Sequence, residues 1–175
     1  QVKSASNYRR IQRFFEQFSF DKQVITQWLI AHLPQEGLVL CLDRTNWKFG
    51  RVDINILAFG VAYKGTAIGL LWELLPKFGN SNQAERMALL QRLLKWLPAK
   101  KIKVVLADRE FIGQDWFGFL IAHNIKFHSR LRENMLAELS KEDTKHLRLF
   151  FAHLKLGEVL SLHQRYRICG QHLAV

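Results

Sequence analysis

The chain has 175 residues, enough for one domain with a hydrophobic core and too few to ensure two. Its 49% hydrophobic and 23% charged residues are typical of a globular protein and exclude an intrinsically disordered chain. The 26 Lys and Arg against 15 Asp and Glu give a net charge of +11, which favours nucleic acid before membrane as a partner. A basic protein without a specific partner is the open alternative.

The cysteines and the apolar segments carry no signal for metal, disulfide or membrane. Cys41 and Cys169 match no metal-ligand spacing and give no disulfide framework, which fits a reducing cytosol. The longest apolar stretches, 54–63 and 67–75, are shorter than the roughly 18 residues that a membrane span needs. We therefore expect a cytoplasmic protein without a membrane partner.

The first part of the chain has the spacing of two helices. Ile11, Phe14 and Phe18 recur at helical intervals in the first. Asp21 is a suitable N-cap for the second, and Pro34 ends it. We interpret residues 1–36 as an accessory helical region that precedes the main domain.

Three strands follow in close succession. The apolar run 38–42 ends at Asp43 and predicts a strand buried on both faces. Strand-like stretches at 54–63 and 66–74 come after short polar breaks. Connections this short favour an antiparallel three-stranded meander.

The second half of the predicted core alternates helix and strand. We predict a helix over 83–97, a buried strand over 104–107 that ends at Asp108, a helix over 114–123 and a strand near 125–131. The first helix should bury a stripe formed by Met87, Leu90, Leu94 and Leu97. The order β-β-β-α-β-α-β indicates an α/β protein with a ribonuclease-H-like fold, assigned to residues 37–146.

Two carboxylates stand where buried strands end. In a ribonuclease-H-like fold the strands before Asp43 and Asp108 are parallel neighbours, so both side chains reach the carboxyl edge of the sheet. Two adjacent carboxylates repel each other, and Mg²⁺ or Mn²⁺ removes that conflict. Two such ions roughly 4 Å apart activate an attacking water or 3′-hydroxyl and stabilise the leaving oxygen. A turn former or N-cap is the alternative role for either residue.

The flanking residues resemble a known family. The segment 42–47 resembles the first-aspartate motif of insertion-sequence transposases of the IS-four group, and 106–113 resembles their second. Residues 79–82 with Glu85-Arg86 resemble the intervening loop and helix start. Residues 6–15 resemble the stretch that links the family's amino-terminal DNA-binding region to the catalytic core, which implies that 1–36 links to such a domain outside this sequence. The resemblance implies a bacterial DDE transposase that cleaves and joins double-stranded DNA at transposon ends, active as a homodimer and associated with the nucleoid. Asp43 would bridge two metal ions, and Asp108 would bind one.

The third acid of that family has no clear counterpart. The family carries a Glu on a late helix, in a Tyr, Arg, Glu and Lys pattern that no segment here reproduces. Glu158 has a tolerable spacing but a turn-and-strand context, and Glu133 should lie in a surface turn. We expect the third acid beyond Val175, with 147–175 as the start of a β-rich insertion. Two alternatives remain open: a non-catalytic DNA-binding remnant, and a nuclease that cleaves without joining.

Several other side chains are candidate DNA contacts. Arg44 and Arg109 can contact phosphate or form an ion pair, with Glu110 as one acid in reach. Trp47 can stack on an unpaired base, although we favour core packing. Asn80 and Asn82 can touch DNA or serve the backbone of their loop. The remaining candidates are basic residues for phosphate contact: Lys100, Lys101, Lys103, Lys126, Arg130 and Arg132.

Overall fold

The computed structural model describes residues 4–19, 21–140, 143–162 and 164–175. Each of the predicted segments 1–36, 37–146 and 147–175 includes some residues outside these ranges. The helices are α1 (Ser4–Gln17), α2 (Lys22–His32), α3 (Gln83–Leu94), α4 (Gln114–Ala122) and α5 (Leu147–Phe151). The strands are β1 (Leu38–Phe49), β2 (Val52–Tyr63), β3 (Thr66–Leu74), β4 (Ile102–Ala107), β5 (Phe127–Ser129), β6 (Leu136–Glu138), β7 (Thr144–His146), β8 (Arg165–Ile168) and β9 (Gln171–Ala174). None of the helices in these ranges is long and apolar enough to cross a bilayer.

The main sheet has the strand order β3-β2-β1-β4-β5. Strands β1, β2 and β3 form an antiparallel meander, whereas β4 pairs in parallel with both β1 and β5. The crossover from β3 to β4 runs through α3, and that from β4 to β5 runs through α4. This arrangement confirms the ribonuclease-H-like fold.

Strand β1 is longer than its apolar run. The run ends at Leu42, but pairing with β2 continues from Asp43 opposite Ala58 to Phe49 opposite Val52, and Gly50 turns the chain with φ 60°. The prediction that the strand ends at Asp43 is therefore wrong. Cross-strand pairing carries the strand through polar residues that burial alone does not favour. As a result Asp43 lies inside a strand, while Asp108 directly follows β4.

One hydrophobic core lies between the main sheet and its helices. It contains residues of β1 and β2, such as Leu40 and Phe59, and residues of α4, such as Trp116 and Phe117, all fully buried. Helix α2 joins this core, because Thr26 donates a hydrogen bond to the Leu70 carbonyl of β3 at 2.6 Å. Helix α1 differs, since its Ile11 and Phe14, and Phe18 directly after it, are more than half exposed.

The predicted stripe of α3 is shifted by about one residue. The residues that α3 buries are Arg86, Leu89, Leu90 and Leu93. Leu90 and Leu97 are buried as predicted, but Met87 and Leu94 are only half-buried. The shift brings a charged residue into the interior. The strand predicted near 125–131 is shorter in the structure, where β5 begins only at Phe127. Asn124, with φ 54°, turns the chain between α4 and β5.

A second sheet with the order β7-β6-β8-β9 follows the main one. It has a small core of its own, formed by Ala137, Leu147, Tyr166 and Ile168. Strands β6 and β7 precede residue 147, so this sheet begins earlier than the predicted start of the insertion. The division of the chain into domains remains a prediction.

Candidate active site

The parallel pairing of β1 with β4 brings the two aspartates together. Leu42 lies opposite Ala107 in the register, so the next residues, Asp43 and Asp108, follow neighbouring positions. Both side chains line one open pocket of about 540 Å³, with Cys41, His128, Ser129 and Arg130 on its walls. The structure therefore places the two predicted carboxylates in the same pocket.

The alternation of β1 decides which way each side chain points. Successive side chains of a strand face opposite sides of the sheet. Leu42 is buried and the Arg44 side chain is only 10% exposed, whereas Asp43 between them is exposed. The Asp43 carboxylate thus stands on the open face, where its Oδ1 accepts a hydrogen bond from the Arg44 backbone N–H at 2.7 Å.

Asp108 lies in the turn that follows β4. Its carbonyl accepts a hydrogen bond from the Phe111 N–H at 2.9 Å, which closes this turn. Its carboxylate is 3.5 Å from Arg130 Nη1, and the two side chains are 55% and 79% exposed. An exposed ion pair of this length is weak. Arg130 can therefore leave Asp108 at little cost when a stronger anion approaches.

The donors in the pocket suit a hard cation. Burial, and secondarily the negative charge of Asp43, raises the pKa of the Cys41 thiol, so this sulfur stays protonated at neutral pH and is a poor metal ligand. The two carboxylates remain, and Mg²⁺ commonly takes only one or two carboxylates from a protein and completes its shell with water and phosphate. The residues present fit such an ion. No group of three or more His, Cys, Asp or Glu side chains with metal-binding geometry occurs in the described ranges.

The candidates for the third acid stay apart from this pocket. Glu158 follows a turn, where its Oε2 accepts a hydrogen bond from the Lys155 N–H at 2.8 Å. Glu133 is exposed in the predicted surface turn. Neither lines the pocket of the two aspartates.

Arg44 forms an ion pair, one of its two predicted roles. Its Nε donates to Glu110 Oε1 at 3.1 Å, and its Nη2 donates to Glu110 Oε2 at 3.0 Å. The same guanidinium donates to Asn55 Oδ1 at 3.3 Å and to Asn80 Oδ1 at 3.1 Å. The amide of Asn55, which is 3% exposed, donates in turn to the carbonyls of Lys77 and Gly79. Asn80 therefore serves this network.

Arg86 is a buried arginine that the sequence analysis did not select. It is 4% exposed and its guanidinium donates to Ser81 Oγ, to the Ser81 carbonyl, and to the carbonyls of Glu110 and Ile112 at 3.0 and 3.2 Å. Burial lowers its pKa, an effect that Glu110 and Glu85 oppose. The signal was present in the sequence, because Arg86 begins the i, i+3, i+4, i+7 stripe of α3.

Of two further candidates, Asn82 has a local structural role and Trp47 is unexpectedly exposed. Asn82 is the N-cap of α3 and forms a capping box with Glu85, which is the backbone role named as its alternative. Trp47 is 45% exposed, so the favoured prediction of core packing is wrong. It lines a small cleft of about 90 Å³ with Lys77 and Phe78, near the end of the β1–β2 hairpin.

The basic candidates separate into two groups. Lys100, Lys101 and Lys103 lie at the amino end of β4, opposite the edge that carries Asp108, and Lys101 donates to Gln35 Oε1 at 2.6 Å. The structure does not bring these lysines to the aspartate pocket. Arg109 is exposed beside Asp108, and Arg130 lines the pocket itself.

Comparison with known proteins gives one family. Residues 34–173 match the model of the family described as "Transposase DDE domain". No curated protein matches the sequence.

Solved structures give weaker likenesses. A chain of the simian T-cell lymphotropic virus intasome in complex with PP2A regulatory subunit B56 gamma is 11% identical, with a TM-score of 0.43 over 57% of this chain and 35% of that one. The HTLV-2 integrase catalytic core domain in complex with magnesium is 15% identical, with TM-scores of 0.42 for its dimeric and trimeric forms. These two matches cover 56% and 57% of this chain. The chain spans 62% of the length of either integrase core.

Proposed function

Since the chain belongs to the family of transposase DDE domains, we propose that it is part of a bacterial insertion-sequence transposase of the IS-four group, which cleaves and joins DNA strands. The observation that carries this proposal is the pair Asp43, within β1, and Asp108, directly after the parallel neighbour β4, which share one open pocket. A pair of carboxylates in this arrangement is suited to divalent metal ions at a phosphoryl group.

Asp43 and Asp108 would hold Mg²⁺ or Mn²⁺, and the bound ions would activate the attacking water or 3′-hydroxyl and stabilise the leaving oxygen. The protein's own part is to present two charged carboxylates at a fixed spacing on an accessible face. Asp43 and Asp108 are both exposed, so a DNA phosphate can approach them directly. The pocket that they share is open and has a volume of about 540 Å³.

The charge favours nucleic acid as the partner, and the family favours double-stranded DNA. The chain carries a net charge of +11, and exposed Arg109 and Arg130 stand beside the carboxylates. Cations at this place offset the repulsion between the aspartates and the DNA backbone. We extend the proposal to transposon ends and target DNA as substrates, to a homodimer as the active form, and to the bacterial cytoplasm as the place of action.

A non-catalytic DNA-binding role is the second candidate. It is favoured by the lack, in the described ranges, of a third acid that lines the pocket with Asp43 and Asp108. Metal binding separates the two candidates, because DNA binding through basic residues does not require the carboxylates.

Mn²⁺ binding tests the proposal on the protein itself. We expect Mn²⁺ to bind the wild-type chain in a calorimetric titration, and Asp43→Asn to weaken this binding at least tenfold, because the substitution removes one of two charged ligands. Asp53→Asn is the matched control, since Asp53 is an exposed aspartate at the far end of the same hairpin. Equal Mn²⁺ binding by the wild type and Asp43→Asn would reject the metal site.

Loss of the Arg130 charge should weaken the binding of DNA but not the binding of Mn²⁺. In Arg130→Gln we expect weaker DNA binding, with the slope of log K against log salt reduced by about one. Mn²⁺ binding should not weaken, because the change removes a positive charge 3.5 Å from the Asp108 carboxylate. Fluorescence anisotropy over a salt series and calorimetry check the two effects. A parallel loss of both affinities would argue against separate roles for Arg130 and Asp108.

A further inference from the structure

We propose that the ion pair between Arg44 and Glu110, here called the clamp, is a positioning device that sets the spacing of the Asp43 and Asp108 carboxylates. The inference rests on the proposed function, because it assigns a role to residues behind the metal site. Neither clamp residue lines the pocket of the two aspartates. The clamp therefore acts through Asp43 and Asp108 and does not touch metal or DNA.

The sequence positions of the clamp residues connect the two aspartate segments. Arg44 directly follows Asp43 in β1, and Glu110 lies in the turn that begins at Asp108. Their two hydrogen bonds, at 3.1 and 3.0 Å, join the planar guanidinium to the planar carboxylate. A bidentate pair fixes orientation as well as distance. Movement of the turn relative to β1 would have to break both bonds.

Burial makes the clamp stiffer than the other ion pairs nearby. The Arg44 and Glu110 side chains are 10% and 22% exposed, whereas the Asp108–Arg130 pair is mostly exposed. Water screens a shielded pair less, so its geometry is held more tightly. The clamp also explains why Arg44 is not available for DNA phosphate, since its guanidinium already serves Glu110, Asn55 and Asn80.

Each end of the clamp has its own anchor. On the Glu110 side, the buried Arg86 donates to the backbone carbonyls of Glu110 and Ile112, which fixes the turn after Asp108 to α3. On the Arg44 side, the Arg44 N–H donates to Asp43 Oδ1, so the position of Arg44 affects the orientation of that carboxylate. A continuous set of hydrogen bonds thus leads from α3 through the clamp to Asp43.

The clamp is a costly way to provide stability alone. A shielded ion pair loses hydration, and well-packed apolar residues of the same volume often stabilise a fold as well or better. An apolar pair does not fix the distance and orientation between β1 and the turn after β4. A site that must hold two mutually repelling carboxylates benefits from that property.

A double-mutant cycle in the full chain tests the clamp. We expect Arg44→Gln and Glu110→Gln each to weaken Mn²⁺ binding about tenfold, and the double variant to be no weaker than either, because both changes remove the same contact. Arg44→Lys should not restore binding, since lysine keeps the charge but cannot form the bidentate contact. Arg92→Gln is the matched control, because it breaks the Arg92–Glu73 ion pair between α3 and β3, away from both aspartates.

Hydrogen exchange gives a second measurement that needs no metal. In the metal-free protein, Arg44→Gln should raise amide exchange in residues 108–112 severalfold and leave α4 unchanged. Unchanged exchange at 108–112 would overturn the clamp. Faster exchange with wild-type Mn²⁺ binding would also overturn it, by reducing the pair to a structural contact.

The two proposals fail in different ways. If the wild type and Asp43→Asn bind Mn²⁺ equally, the proposed metal site fails and the positioning role fails with it. If Asp43→Asn loses Mn²⁺ but both clamp variants retain it, only the clamp fails. Additive losses in the double variant would show two independent contacts and would contradict a single clamp.

Discussion

Asp108→Asn should lower the rate of Mn²⁺-dependent DNA nicking by about a thousandfold or more. A metal ion contributes several kcal/mol to a phosphoryl transition state, and each ~1.4 kcal/mol corresponds to a tenfold change in rate. Asparagine keeps the shape of the side chain but loses its charge. The fold should be unaffected, because Asp108 is exposed and its ion pair with Arg130 is weak. Conversion of supercoiled plasmid to the nicked form measures the rate.

The plasmid assay has a control and two decisive outcomes. Asp53→Asn should nick at the wild-type rate, since Asp53 lies outside the aspartate pocket. Nicking by Asp108→Asn at the wild-type rate would reject Asp108 as a ligand. A wild-type chain that binds DNA but neither binds Mn²⁺ nor nicks the plasmid would favour the non-catalytic role. In a separate assay with a pre-nicked donor end, the product of strand transfer would distinguish joining from cleavage alone.

Arg86→Met should reduce the free energy of unfolding by about 3–5 kcal/mol, since each buried acceptor left without a partner costs about 1–3 kcal/mol. The variant leaves the carbonyls of Ser81, Glu110 and Ile112 without their donor. Methionine has a similar length, so loss of packing contributes little. Urea denaturation checks the value, with an unchanged m-value as the sign that only stability has altered.

Arg92→Met is the matched control for this loss. Arg92 lies on the same helix, but its side chain is 35% exposed and pairs with a half-exposed Glu73. We expect its loss to cost less than about 1 kcal/mol. Similar costs for both variants would mean that the interior network of Arg86 contributes no more than a surface ion pair.

The sequence was sufficient for the parts of the fold that depend on buried runs. The run before Asp43 and the one before Asp108 predicted two central strands, and the order of elements predicted that these strands are neighbours. Both conclusions follow from local burial and from a short list of possible topologies. The shared pocket of the two aspartates was therefore predictable.

Features that depend on distant partners were not predictable in the same way. Residues 43–49 carry no apolar run, and they form a strand because β2 pairs with them throughout. The exposed Trp47 lies in this extension, close to the turn at Gly50. Strands β6 and β7 have three residues each, too few for a periodic pattern, and exist through mutual pairing.

The candidate site shows the same division. The two carboxylates were predicted from the ends of buried apolar runs. The choice between DNA contact and ion pair for Arg44 depends on the position of Glu110, which only the structure shows. Arg86 was overlooked because the interpretation of α3 used only its apolar residues. A charged residue at the first position of a buried stripe indicates that the interior contains polar groups to which it can donate hydrogen bonds.

The extension of β1 past Asp43 makes the two aspartates mechanically unequal. Asp43 is held within a ladder that continues on both sides of it, opposite Ala58. Asp108 follows the last residue of β4 and belongs to a turn. The position of Asp43 therefore depends on the sheet itself, whereas the position of Asp108 depends on the clamp and on Arg86, which hold its turn.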